Sequence, residues 1–278
     1  MNRLLVKPTC AKACVLSLIL AAGVAEAAPF ACTGEAFIAQ DELAQLTRID
    51  QTVSPFVFVP IGGPAGFQIN GIGFNRNDGL IWGWYRVRIG GTTTDQEIVT
   101  IDNTGTVTAL GTGGVDQLHF NAGDVSHDGT TMYLNDRGTG PLWSVTLPGL
   151  TGAASVTISG DTGLVADWAF NRADSRLYGG DHSDGEVARL NPTTGVRTDL
   201  PVAGVPVGAA GAGYGAAWFN AAGNLFLLQN TGTIYEIANV TTATPTVVST
   251  QSGPASAFND GAACVLVANR KAWRELIE

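Results

Sequence analysis

Three short stretches of this chain place aromatic rings, carboxylates and arginines side by side. "GWYRVRIGGTTTDQE" (83–97) holds Trp84, Tyr85 and Arg86, with Arg88 two places on. "NDRGTG" (135–140) holds Asp136 and Arg137, and "GGDHSDGE" (179–186) holds Asp181, His182 and Asp184. Rings stack on the flat faces of a ligand while fixed charges orient it, so the chemistry offered is non-covalent recognition of a glycan or a protein. Against this stands a plainer role as turn formers, with Trp84 and Tyr85 packed inward.

A second set consists of Asn70, Asn121, Asp167 and Asp260. Converging oxygens of these types hold a hard cation such as calcium, or they cap strand entries by bonding their own backbone. Asp167 and Asp260 are also the pair of carboxylates that a polysaccharide hydrolase or lyase would need. Covalent and metal chemistry is otherwise without a signature. His119, His127 and His182 lack ligand spacing, and no nucleophile elbow, phosphate loop or dinucleotide fingerprint stands in a suitable context. The glycine-rich "GAAGAGYG" (208–215) is not flanked by a strand and a helix, and reads as a loop. No catalytic residue, metal ligand or cofactor is assigned from sequence.

Elements must position these residues, and they recur. An aromatic follows an apolar pair or its equivalent at Phe37, Trp82, Tyr133, Tyr178 and Phe226, spaced by 45, 51, 45 and 48 residues. Each is followed by a five-residue unit with apolar first and fourth places: "LTRID" (46–50), "IVTID" (98–102), "LWSVT" (142–146), "VARLN" (187–191) and "IYEIA" (234–238). A β-branched segment comes next each time: 55–60, 105–110, 154–159, 195–200 and 245–250. Such composition, punctuated by Gly, Asn, Asp and Pro, predicts short strands and turns. A fourth element precedes the aromatic in four units, as "GIGF" (71–74), "AGDV" (122–125), "DWAF" (167–170) and "AAWF" (216–219). The missing copy is "GAAC" (261–264), at the other end of the chain.

Four-stranded units at this period predict an all-β fold, a β-propeller of five blades, with six as the alternative count. Blade 1 takes its innermost strand from the C-terminus, which ties the chain ends together. In this arrangement the three ring-and-charge stretches connect the second and third strands of blades 2, 3 and 4. Asn70, Asn121, Asp167 and Asp260 begin inner strands at the mouth of the axial channel. The alignment also pairs two cysteines: Cys264 takes the place of Phe74 and Cys32 that of Asn77. Those places face each other across a tight turn, so a Cys32–Cys264 disulfide is predicted.

Residues 1–27 read as a secretory leader, with a basic start, the apolar run "ACVLSLILAAGVA" and a small-x-small site at Ala25 to Ala27. Residues 28–266 form the propeller, and 267–278 read as a short helix with Trp273, Leu276 and Ile277 on one side. The leader carries Arg3, Lys7, Lys12 and Glu26, so its loss takes the net charge from −9 to −11. An acidic surface repels phosphate backbones and anionic lipid, which argues against nucleic acid and membrane partners. A monomer is expected.

The residues resemble a group of secreted bacterial proteins with an F-x-C-x-G start, repeated G-x-G-F-N…D-G-x-[YW] units and a closing N-D-G-A-x-C. Here these stand as "FACTG" (30–34), "GIGFNRNDGLIW" (71–82) and "NDGAAC" (259–264). The resemblance covers about 30–266 and implies a domain of unknown function with a propeller-like fold, often at the front of surface or adhesin-like proteins. It transfers no catalytic residues. The expectation is a secreted, non-catalytic propeller that binds an extracellular glycan or protein through one loop face. A hydrolase or lyase and a purely structural module are the alternatives.

Overall fold

The computed structural model describes residues 27–86, 96–116, 119–161, 163–206 and 213–266. The leader, the tail 267–278 and Arg88 fall outside them. Twenty strands form five four-stranded antiparallel sheets. Blade 1 contains β1 (Ala36–Gln40), β2 (Gln45–Asp50) and β3 (Val57–Pro60). Blade 2 contains β4 (Gln68–Asn75), β5 (Leu80–Arg86), β6 (Glu97–Ile101) and β7 (Val107–Gly111). Blade 3 contains β8 (Ala122–Val125), β9 (Thr131–Asp136), β10 (Thr139–Thr146) and β11 (Thr151–Thr157). Blade 4 contains β12 (Ala169–Asn171), β13 (Arg176–Gly180), β14 (Val187–Leu190) and β15 (Arg197–Leu200). Blade 5 contains β16 (Tyr214–Phe219), β17 (Leu225–Gln229), β18 (Thr233–Ala238) and β19 (Thr246–Ser252). The last strand, β20 (Asn259–Ala263), pairs with β1 and completes blade 1 from the far end of the chain. Among the described residues no helix is long and apolar enough to cross a membrane.

Burial falls from the axis outward. Every residue of β4 and β16 is buried, whereas the outermost strands β3, β7, β11 and β19 are largely exposed. Apolar side chains gather in five clusters, one between each pair of neighbouring blades. This explains why the aromatic of the second strand recurs: it packs against the end of the next blade's innermost strand. Phe37 stacks on Phe74 (centroids 5.9 Å apart), Tyr133 stacks on Phe170 (5.9 Å), and Tyr178 meets Phe219 edge-on (5.6 Å). Burial of one such ring stabilises by about 2–3 kcal/mol.

Near the axis the inner strands approach so closely that side chains must be small. A Cβ on Gly261 of β20 would sit 2.5 Å from the Ala217 carbonyl oxygen of β16. At Gly71 the chain takes a positive φ of 60°, where β4 shifts register against β5. Replacing either residue with a larger one would push two blades apart.

Cys32 and Cys264 are joined, with Cα atoms 5.5 Å apart, inside the range a disulfide bridges. Register refines the alignment that predicted the bridge. Phe74 pairs with Ile81, and the matching partner of Ala36 is Ala263, so Cys264 lies one place beyond the Phe74 position. Its N–H donates to the Glu35 carbonyl, continuing the ladder one step past β20.

Candidate functional site

At one end of the axis the inner strands open into a cavity of about 600 Å³. All five blades reach it through the entrances of their innermost strands. Asn70 and Asn121 contribute from blades 2 and 3, Leu164 and Ala166 from blade 4, Gly213 and Gly215 from blade 5, and Ala257, Phe258 and Asn259 from blade 1. The end of β5 adds Arg86, and the second-to-third strand connections add Arg137, His182, Ser183 and Asn230. Three residues singled out as ligand candidates, from three different blades, thus line one mouth together with two of the axial asparagines.

Hydrogen bonds fix the amides of this mouth. Asn259 accepts from Gln40 Nε2 at 2.6 Å and donates to Asn230 Oδ1 at 3.0 Å. Arg86 donates to Asn121 Oδ1 at 2.6 Å. With the Asn70 amide turned as its neighbours require, its oxygen also accepts from Arg86 at 3.3 Å. The far side of the Asn121 amide donates to Asp136 at 2.5 Å, so Asp136 stands one residue behind the guanidinium. Burial lowers the Arg86 pKa, and the neighbouring Arg137 charge lowers it further, partly offset by Asp136 and Asp260. His182 Nε2 accepts from the Tyr214 N–H at 3.0 Å, which leaves the ring proton on Nδ1. Burial, and to a lesser degree Arg137, lower its pKa, so the ring is neutral at pH 7.

Arg137 has a backbone conformation that arginine rarely adopts, with φ of 54°. The turn that imposes it is braced by the fully buried Asn135. Asn135 Oδ1 accepts from the Gly138 N–H at 2.5 Å, and its amide donates to the Thr139 and Pro141 carbonyls at 2.8 and 3.0 Å. The result presents the Arg137 side chain, exposed, at the rim of the cavity.

Other sequence candidates lie elsewhere. Trp84 is 1 % exposed, with its indole N–H on Gln96 at 3.2 Å and its ring edge-on to Phe120 at 4.9 Å. The cause is that β5 runs through to Arg86, so 83–86 is strand rather than loop. Tyr85, half-buried on the same strand, packs edge-on against Phe67 at 4.3 Å. Asp181 is fully buried and paired with Arg197 of β15, which also grips Asp199 at 2.7 and 2.8 Å. Carboxylate oxygens of Asp161, Asp181 and Asp199 come within 4.8 Å of one another, and two of the three hold the Arg197 guanidinium. Asp184 is exposed and accepts the Glu186 N–H at 2.9 Å in a tight turn.

The four axial residues split between two depths. Asn70 and Asn121 border the mouth, whereas Asp167 and Asp260 are 0 % exposed and sit below it in a collar of inner strands. Each collar carboxylate reaches another blade. Asp260 accepts the Ile72 N–H of blade 2. Asp167 accepts Ala217 N–H of blade 5 at 2.7 Å and Gly261 N–H of blade 1 at 2.8 Å. Asp124 of β8, which sequence reading did not select, accepts the Phe170 N–H of blade 4 at 2.6 Å. Burial pushes the carboxyls of Asp167 and Asp260 well above the usual carboxylate range. The Asp167 charge raises Asp260 further, and the buried Asp260 Oδ1 has no hydrogen-bond partner among the described residues, so the pair retains a proton between them. Asp124 is pushed up to about 8 by the same desolvation, against the pull of two backbone N–H donors.

Below the collar, at the end opposite the mouth, a smaller cavity of about 140 Å³ is lined by Asp124, Arg76, His127, Arg172 and the disulfide. The disulfide and the mouth therefore occupy opposite faces.

Fold and mouth together define a five-bladed β-propeller with a basic axial opening. The chain belongs to the family described as Repeat of unknown function (DUF6923), whose model matches residues 37–266. No protein of curated function matches it in sequence. Among solved structures, it is similar to a chain of a nidogen/laminin complex at 13% identity, covering 83% of this chain and 98% of that one with a TM-score of 0.51. A Pseudomonas aeruginosa periplasmic gluconolactonase follows at 14% identity, covering 81% and 69%, with a TM-score of 0.46. A functionally unknown protein from Desulfotomaculum acetoxidans gives 12% identity, covering 86% and 88%, with a TM-score of 0.47. At these identities the likeness is one of fold.

Proposed function

We propose that this protein is a secreted binding module that recognises an extracellular glycan or protein at its axial mouth, without chemistry of its own. The observation that carries the reading is the mouth cavity: about 600 Å³, within the range of ligand sites, walled by amides and cations from four blades and by His182 and Ser183 from blade 4. Groups of these kinds orient a ligand. The collar carboxylates that a hydrolase or lyase would need are 0 % exposed and committed to backbone N–H groups of other blades. Glycosidases instead hold two carboxyls about 5 to 9.5 Å apart, flanking a substrate bond. Secretion is supported by the leader-like first residues and by the disulfide, which persists in oxidising compartments.

Purified chain from residue 28 onward, screened against a glycan array and a panel of extracellular matrix and envelope proteins, tests the proposal. Saturable binding that is lost when Asn259 is replaced by Leu, in a variant that still unfolds cooperatively, is the expected result. Binding that survives every change at the mouth would place the site elsewhere and overturn it.

A further inference from the structure

The charge of the mouth contradicts the charge of the molecule. The chain has 24 acidic against 15 basic residues, yet the cavity is lined by two arginines and a histidine, and by no carboxylate among the described residues. From this we infer that the mouth takes an acidic saccharide, a sugar bearing a carboxylate; the inference rests on the binding role proposed above and specifies its ligand.

Three features carry it. First, among the described residues the Arg86 guanidinium is held by neutral amide oxygens and by no carboxylate, so there its positive charge is positioned without being cancelled in direct contact. Asp136 stands behind Asn121, and Asp260 lies in the collar beneath. Second, Arg137 lines the same mouth as Arg86, so two guanidinium charges face one cavity. No described residue hydrogen-bonds its guanidinium, and its left-handed backbone is maintained by the buried Asn135 brace. Like charges held together, one of them on a strained turn, are an arrangement that an anion relieves. A guanidinium fork matches a carboxylate in two parallel bonds, which an ammonium cannot do. Third, the remaining wall suits a sugar ring rather than a bare ion. With the Asn259 N–H groups committed to Asn230 Oδ1 and the Ser256 carbonyl, the Asn230 N–H groups and the second lone pairs of both amide oxygens are left for hydroxyls, and the half-buried Phe258 offers a ring face. His182, neutral with Nε2 occupied, contributes no competing negative charge.

The experiment uses the chain from residue 28 onward and titration calorimetry with four probes. These are a trimer of galacturonic acid, its methyl ester, the neutral galactose trimer, and a peptide with a free C-terminal carboxylate. The acidic trimer is expected to bind, with the ester and the neutral trimer weaker by on the order of 10- to 100-fold, the weight of one charged hydrogen-bonded contact. Arg137→Ala should produce a similar loss while leaving thermal unfolding unchanged, and Arg137→Lys should recover only part of it. Affinity should fall with added salt. Equal binding of acidic and neutral trimers would overturn the charge assignment and leave the binding role standing. Binding of the peptide alone would transfer the carboxylate site to a protein ligand and overturn the saccharide. If none of the four binds and the glycan and protein screens are also blank, both readings fall.

Discussion

Asn259 and Asp260 are neighbours in sequence, yet one belongs to the mouth and the other to the collar beneath it, and the two regions treat charge in opposite ways. The mouth gathers positive groups against neutral amides and leaves them open to a cavity. The collar gathers carboxyls, closes them off and keeps a proton among them. The strand's rise sets Asp260 one step deeper, and its pleat turns the two side chains to opposite neighbours, Asn259 to blade 5 and Asp260 to blade 2. Net charge therefore says little about what either region meets. One region is arranged to receive a partner, and the other has already found its partners in the backbones of adjacent blades.

If the collar and the bridge below it hold the ring while the mouth is free to bind, substitutions should sort by depth. The largest effect is expected from the bridge. Replacing Cys264 with Ser should lower unfolding free energy in denaturant titrations by up to about 5 kcal/mol, since the loop it closes spans 232 residues. A loss below about 1 kcal/mol would mean that the β1–β20 pairing closes the ring by itself. Asp167→Ala comes next, at on the order of 4 kcal/mol, because it strands the buried N–H groups of Ala217 and Gly261. Asp260→Asn should cost less than about 1 kcal/mol at pH 7. Its amide oxygen still accepts from Ile72, and its new N–H donors replace the proton shared with Asp167. If the two variants destabilise alike, the collar pair does not share a proton.

A smaller, pH-dependent effect follows from the same proton. A raised carboxyl pKa means that the folded chain binds protons the unfolded chain releases above about pH 4. Folding stability should then fall as pH rises, by about 1.4 kcal/mol per unit for each retained proton, up to the folded pKa. The lowered values of His127 and His182 act in the opposite sense only below about pH 6.5, where unfolded histidine is charged. Between pH 6.5 and 8 the slope should thus be negative, and shallower in Asp260→Asn. A rising curve in that window would show that the collar is ionised. The smallest expected change is at the mouth: Arg137→Ala should move stability by less than about 0.5 kcal/mol, as befits an exposed side chain whose role is elsewhere.

The ring was legible in the sequence because its signals are local and repeated. A strand of five residues, a turn and an aromatic every 45 to 51 residues are each read from neighbours, and repetition removes the ambiguity of any one copy. The bridge was legible for the same reason, to within one place in register. Arg86, Arg137 and His182 could be named because their stretches set charged groups beside rings and carboxylates. Their meeting at one mouth required the ring first. What stayed hidden depends on depth and on distant pairing. Trp84 extends a strand by a few residues, and burial between two blades erases the alternation that would have shown it inside. Asp181 reads as a turn carboxylate until Arg197 arrives from an outer strand. Asp167 and Asp260 look like channel-mouth residues because nothing local tells how tightly five inner strands close around them.

The position of the bridge also sets how this domain is hung. The chain enters the ring at Cys32 and leaves it at Cys264, both on the face opposite the mouth. From there residues 28–31 run along blade 2, where Ala28 bonds Asp102 and Asn103 and Phe30 bonds Gly79, while Leu266 accepts from Arg172 of blade 4, so the two ends continue across the same face at separate places. A pull on either end would first peel these short segments from their blades and then load the covalent clamp before any strand pair, while the mouth faces the other way.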